Sequence, residues 1–237
     1  MIAVPQTAMV LAAGLGTRLR PLTLTVPKCL VNVGGKPLID HTLDKLAIAG
    51  VRRAIVNLHH LPDPVRAHLA GRAAPAITFS DETDRLLETG GGLVHALPLL
   101  GDAPFLSVNA DILWRDFNGN ALHRLARHWN DEAMDALLLL QSTIGAIGYG
   151  GMGDFAMATD GRLSRRDSRV IAPFVFTGVQ ILHPRLFRDA PQGPFSLNIL
   201  YDRAASAGRL HGIRHDGDWM DCGTPDALAA AEQALAA

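Results

Sequence analysis

Apolar positions fall in short blocks whose period changes along the chain. Residues 8–12 form a continuous apolar run, Ala-Met-Val-Leu-Ala, that ends in Ala13-Gly14-Leu15-Gly16, which predicts a buried strand feeding a loop. Between Pro37 and Ala49 the apolar residues Leu38, Ile39, Leu43, Leu46 and Ala47 recur at helical spacing, and Gly50 is a natural stop. Residues 54–58 read as a second strand, 64–70 as a short helix and 76–79 as a strand. Residues 89–97 read as a helix with a glycine-rich start and Thr89 as its N-cap. A strand over 105–108 then ends at Asn109-Ala110-Asp111.

The second half is less regular. Helices are expected over 119–129, 197–207 and 225–235, and strands over 134–140, 174–182 and 211–215, with a glycine-rich stretch at 145–153. Strand and helix alternating through the first half imply an α/β fold, a mostly parallel sheet with helices on both faces. In such sheets ligands sit beyond the carboxyl ends of the strands. The segments 14–28, 57–60 and 88–92, and Asp111, all follow predicted strands, so topology can gather them at one edge. No internal repeat and no linker interrupts the pattern, and residues 1–237 are read as one domain.

Composition narrows the function classes. Hydrophobic residues at 48% and charged ones at 19% are globular values, and a net charge of −1 argues against a domain-wide nucleic-acid surface. No apolar run approaches the ~18 residues of a membrane span, and no secretory leader pattern opens the chain. Cys29 and Cys222 lack any metal-ligand spacing and are expected as free thiols, so a cytoplasmic protein without membrane or nucleic-acid partners is expected. Only three lysines occur, Lys28, Lys36 and Lys45, so a lysine beside a glycine-rich loop invites a reason.

That loop carries the most chemistry. Gly14 and Gly16 let backbone approach a ligand with N–H groups facing anionic oxygens, while Arg18, Arg20 and Lys28 supply positive charge for phosphate. A dinucleotide fingerprint would need glycine where Leu19 stands, and a Walker A loop would need Gly-Lys-Ser/Thr, which is absent. Glycine spacing alone leaves a simple strand-to-helix turn with solvated arginines equally open.

The whole segment from Leu11 to Thr23, with Pro27-Lys28, resembles the signature of sugar-1-phosphate nucleotidyltransferases. The resemblance continues at Val33-Gly34-Gly35-Lys36-Pro37-Leu38-Ile39, Asn109-Ala110-Asp111 and Trp219-Met220-Asp221-Cys222-Gly223-Thr224, in the family's order. It implies a Rossmann-like mixed sheet and in-line attack of a sugar 1-phosphate on the α-phosphorus of a nucleoside triphosphate, releasing pyrophosphate. By the same resemblance Lys28 and Arg18 are expected to be catalytic. Leu11, Ala12, Ala13, Gly14, Gly16, Thr17, Arg18, Lys28 and Asn109 would bind the nucleotide, with Glu88, Thr89 and Gly90 at the base. Asp111 and Asp221 would hold Mg²⁺, although 110 positions separate them. Gly150, Asp154, Arg166 and Thr177 are the expected sugar contacts. Two departures stand out. Cys29 replaces the family's usual proline or glutamine, and Leu163-Ser164-Arg165-Arg166-Asp167 lies where many relatives carry Glu-Lys-Pro.

Leu87-Glu88-Thr89-Gly90-Gly91-Gly92, the compact length and Gly153-Asp154-Phe155 look most like the N-acetylmuramate 1-phosphate uridylyltransferases of cell-wall recycling. That implies UTP as donor. Mannose-1-phosphate guanylyltransferases and glucose-1-phosphate nucleotidyltransferases are the enzymatic alternatives, and a non-catalytic nucleotide-sugar-binding regulatory subunit is the alternative of another class. A regulatory subunit can lose Lys28 or Asp111 without losing the fold; both are present. The sequence does not specify an oligomeric state.

Overall fold

A computed structural model describes residues 2–236. In chain order the first half runs β1 (Thr7–Leu11), β2 (Asn32–Val33), β3 (Lys36–Pro37), α1 (Leu38–Ile48), β4 (Arg53–Leu58), α2 (Pro62–Leu69), β5 (Ala76–Asp81), α3 (Glu88–Leu100), β6 (Phe105–Asn109) and β7 (Ile112–Arg115). The second half adds α4 (Ala121–His128), β8 (Ala136–Ser142), β9 (Ala146–Ile147), β10 (Phe155–Met157), β11 (Leu163–Arg165), β12 (Phe174–Leu182), α5 (Asn198–Ser206), β13 (Leu210–Arg214), β14 (Asp218–Asp221) and α6 (Pro225–Ala236).

The main sheet has the order β11-β10-β12-β6-β1-β4-β5, with β8 beside β12 and β13 beside β8. Its first half is parallel, β6-β1-β4-β5, and β12 joins it antiparallel, so the sheet is mixed. Alternation along the central strands sorts the core. Ala8, Val10, Ala54 and Val56 face α1, α2 and α4 through Ile39, Leu43, Val65 and Leu122, while Met9 and Ile55 face α3 and α5 through Leu93, Ala96 and Leu200. Helices therefore cover both faces, as the period-2 pattern of buried parallel strands requires.

The sequence pattern did not predict the short strands. A three-stranded ribbon, β7-β14-β9, stands apart from the main sheet and is backed by α6, with Leu113, Met220 and Ala231 packed together. Strands of two to four residues carry too few positions to show a period. Among the described residues no helix is long and apolar enough to cross a membrane.

Candidate active site

The loop after β1 is shaped by the neighbouring strand. Asn57, buried in β4, accepts hydrogen bonds at Oδ1 from the backbone N–H groups of Ala12 (2.7 Å) and Ala13 (3.2 Å). These amides point inward, so Ala12 and Ala13 do not offer their N–H groups to a ligand. Gly14, which follows, is exposed. Gly16 has φ 61°, and a Cβ there would stand 2.8 Å from Thr23 Cγ2, so glycine is needed for both conformation and space. The Thr23 hydroxyl donates to Gly16 O at 2.8 Å and closes the turn. Thr17 and Arg18 follow, exposed, in the short 3₁₀ turn Thr17–Leu19.

Lys28 opens another 3₁₀ turn, and its largely buried ammonium pairs with the Asp111 carboxylate. The ribbon then brings in the second acid. In the antiparallel pairing of β7 and β14, Asp221 lies opposite Ile112, the residue after Asp111. Burial pushes the Asp221 carboxyl above its ordinary range, with Asp111 adding to the rise and Arg18 and Lys28 opposing it. The Arg18 guanidinium lies over Gly223, where a Cβ would stand 2.8 Å from Arg18 Cζ and 3.0 Å from Asp221 Oδ1. Arg18 and Lys28 of the loop, Asp111 and Asp221 thus form one cluster from three separate segments. Cys29 and Cys222 adjoin it, but burial pushes both thiols up to about 12, so neither supplies a thiolate near neutral pH.

Two clefts flank the cluster. The first, about 410 Å³, is bounded by Leu11, Ala13, Gly14, Asn109 and Asp111 at one end and by Glu82, Leu86, Glu88, Thr89 and Ser196 at the other. Sequence reasoning did not name Glu82, Leu86 or Ser196, and placed Asn57 only in a segment at the ligand edge. Glu82 follows β5 directly, so the strand-end rule that singled out Asp111 applies to it equally. Its Oε1 accepts from Asn57 Nδ2 at 2.8 Å, whereas Oε2 is buried without a partner. Burial raises the Glu82 pKa, against the pull of its hydrogen bond from Asn57.

The start of α3 also differs from expectation. The helix begins at Glu88 with no side-chain cap, and the Thr89 hydroxyl accepts instead from Leu197 N at 3.0 Å. Gly90 N donates to Phe195 O at 2.9 Å, and a Cβ on Gly90 would run into the Phe195 ring. The glycine-rich start is therefore a close approach between α3 and residues 193–197. His59 and His60 have packing roles, Nδ1 of His59 bonding Glu82 O and Nε2 of His60 bonding Thr23 O.

The second cleft, about 440 Å³, is lined by Asp154, Phe155, Arg165, Arg166, Phe176, Asn198 and Tyr201. Asn198 is two residues from Ser196 of the first cleft, so the clefts share a wall. The Tyr149 hydroxyl accepts from Gly153 N at 3.0 Å, next to Asp154, and its ring packs edge-on to Trp219, two residues before Asp221, which ties this cleft to the ribbon that carries Asp221. Asp154 Oδ2 accepts from Phe176 N at 2.8 Å, and burial raises its pKa against the pull of that amide and of Arg166. Arg166 donates to the carbonyls of Gly153 (2.7 Å), Asp167 and Ser168 (both 3.1 Å), so much of its guanidinium holds the cleft wall.

Two of the expected sugar contacts do not line either cleft. The Thr177 hydroxyl is buried and donates to Leu139 O at 2.8 Å, while its carbonyl accepts from Trp219 Nε1 at 2.8 Å. Thr177 sits where the β12–β8 register shifts, and it secures that irregularity. Gly150 lies on an exposed loop and lines neither cleft.

Comparison with known proteins agrees with this geometry. A model of the nucleotidyl transferase family matches residues 7–154. The chain is 48% identical to N-acetylmuramate alpha-1-phosphate uridylyltransferase of Caulobacter vibrioides over 98% of both chains. It is 33% identical to mannose-1-phosphate guanyltransferase of Aspergillus fumigatus, covering 92% of this chain and 61% of that protein. A solved UDP-glucose pyrophosphorylase with bound UDP-glucose shares the fold with TM-score 0.80 at 16% identity, over 100% of this chain and 99% of that one.

Proposed function

Because this chain belongs to the nucleotidyl transferase family, we propose that it transfers UMP from UTP to N-acetylmuramate 1-phosphate, releasing pyrophosphate. End-to-end similarity carries the substrate assignment: the uridylyltransferase relative is matched over 98% of its length, the guanyltransferase over 61%. In the reaction a sugar-phosphate oxygen bonds to the α-phosphorus, and the bond from that phosphorus to the bridging oxygen of pyrophosphate breaks. No covalent enzyme intermediate is required, so the protein's work is positioning and charge neutralisation.

The first cleft takes the triphosphate, with the base at the Glu82–Glu88–Ser196 end. The lining of that end, apolar Leu86 beside polar Glu88, Thr89 and Ser196, supports that assignment, since a base presents apolar faces and a polar edge. Lys28 and Arg18 place positive charge between two anionic substrates that would otherwise repel each other. The second cleft takes the sugar phosphate, and the half-exposed guanidinium of Arg165, paired with Asp202 at 2.7 Å, suits the lactyl carboxylate of muramate.

Asp111 and Asp221 suit Mg²⁺. Among the described residues no group of three or more metal-ligating side chains occurs, and two hard carboxylates are the protein share expected of a cation that also takes phosphate and water. When bound there, Mg²⁺ supplies further neutralisation of phosphate charge. The deciding assay is pyrophosphate release across triphosphates and sugar 1-phosphates. UTP with N-acetylmuramate 1-phosphate is expected to exceed GTP with mannose 1-phosphate in kcat/KM; the reverse order would overturn the substrate assignment and leave the family.

A further inference from the structure

Asn57 is far from the phosphate-loop motif in sequence, yet it is the residue on which that loop rests. Its Oδ1 receives two successive backbone N–H groups, from Ala12 and Ala13, at 2.7 and 3.2 Å. A single acceptor bound by adjacent amides fixes the orientation of the peptide planes between them. The chain then leaves β1 in one direction, and the exposed Gly14 that follows is presented to the cleft. The side-chain amide itself cannot turn, because Nδ2 is held at 2.8 Å by Glu82 Oε1. Both residues are only 3% exposed, so water competes little for the bond between them.

The couple is packed from behind by α3. A Cβ on Gly92 would stand 2.7 Å from Glu82 Oε1 and 3.2 Å from Asn57 Nδ2, so the third glycine of the helix start makes room for the Asn57–Glu82 contact. Three strand ends and one helix start thereby meet at one amide: β1 through its loop, β4 through Asn57, β5 through Glu82, and α3 through Gly92.

We infer that Asn57 is a positioning residue for the phosphate loop, acting through the Ala12 and Ala13 amides and locked by Glu82. The inference rests on residues 14–28 being the phosphate site proposed above. A side chain with the acceptor alone is not enough: aspartate at 57 would still receive both amides but would set oxygen against oxygen at Glu82. Glutamine at 82 keeps the wild-type couple, since its Oε1 accepts from Asn57. With aspartate at 57 that glutamine turns to donate Nε2, so the double variant restores both bonds and the original net charge.

The test uses Mg²⁺-pyrophosphate as a ligand without a base, titrated calorimetrically into wild type, Asn57→Ala, Asn57→Asp and Asn57→Asp/Glu82→Gln, with thermal midpoints alongside. Loss on the order of 10²-fold, the scale of an ångström-sized misplacement, is expected for the two single variants. The double variant should return to within a few-fold of wild type. In turnover assays the singles should lose kcat and triphosphate affinity while KM for the sugar phosphate holds. Wild-type pyrophosphate affinity in Asn57→Ala would overturn the inference. So would a folded double variant that binds no better than Asn57→Asp, and that comparison stands even if Asn57→Ala does not fold. Failure of the wild type to bind pyrophosphate would overturn the phosphate-site reading, and this inference with it.

Discussion

The two clefts are built in opposite ways. The first uses the carboxyl ends of parallel strands, β1, β4, β5 and β6, and is set by buried hydrogen bonds such as those of Asn57. The second is assembled from β10, β11, β12 and α5, and is set by arginine on backbone carbonyls and by the partly exposed Arg165–Asp202 pair. Exposed ion pairs contribute little, about 0–1 kcal/mol, and hold a wall less firmly than buried amides do. On the proposed assignment, the loop end of the first cleft, held by these bonds, takes the triphosphate moiety, which a uridylyl and a guanyl donor share. On the same assignment, a wall held by partly exposed arginines takes the partner whose chemistry differs between those relatives, the sugar.

The cluster between the clefts belongs to neither design, and breaking it should give the largest effect. Asp111→Asn and Asp221→Asn each preserve shape and remove one negative charge. Each is expected to lower kcat by roughly 10²–10³-fold, the usual loss for one electrostatic stabiliser, and the double variant should be little worse. Binding of Mn²⁺ with UTP, followed by electron paramagnetic resonance, should weaken in parallel. Near wild-type turnover in either single variant would separate the two carboxylates into different roles.

The contrast between the clefts also explains what the sequence revealed. The phosphate loop was legible because its residues are contiguous: Gly14, Gly16, Arg18 and Lys28 lie within one turn-rich segment, and each type has a stated physical use there. The central strands and the α-helices of the described residues were legible in the sequence, to within a few residues at their ends. Thr177 misled because a hydroxyl on a strand beside the site reads the same whether it faces a ligand or Leu139 O. Thr89 misled because a helix-start threonine is an ordinary cap, and nothing local shows that Leu197 N, 108 positions away, takes its oxygen. The Asn57–Glu82 couple spans 25 positions and two strands, so only the strand-end rule pointed towards it.

A sharper test of the second cleft is Arg166→Met, which keeps the aliphatic stem and removes the guanidinium that holds Gly153, Asp167 and Ser168. Three charge-assisted bonds are lost at the edge of solvent, where each contributes modestly. We expect KM for the sugar phosphate to rise about 10-fold, equivalent to ~1.4 kcal/mol, with KM for the triphosphate unchanged. A matching rise in both constants would show that the two walls are not independent.

The smallest effect belongs to Glu88, and it is a gain in stability. Glu88 has φ 58°, in the left-handed region, at the first position of α3 and on the wall of the first cleft. For a residue with a Cβ that conformation costs about 1–2 kcal/mol. Glycine removes that cost but loses about 0.5–1 kcal/mol through the extra freedom of its unfolded state. The difference leaves Glu88→Gly more stable by about 0.5–1 kcal/mol, a rise in Tm of roughly 1–4 °C for a chain of this size. Glu88→Ala keeps the Cβ, and with it the strain, so its Tm should stay near wild type. Both variants remove the carboxylate, and if Glu88 serves the base end of the cleft both should raise KM for UTP to a similar extent. Equal Tm in the two variants would show that the backbone is not strained. A Tm gain confined to glycine, with the same KM loss in both, would show a residue kept at the first cleft for its carboxylate against the preference of its own backbone.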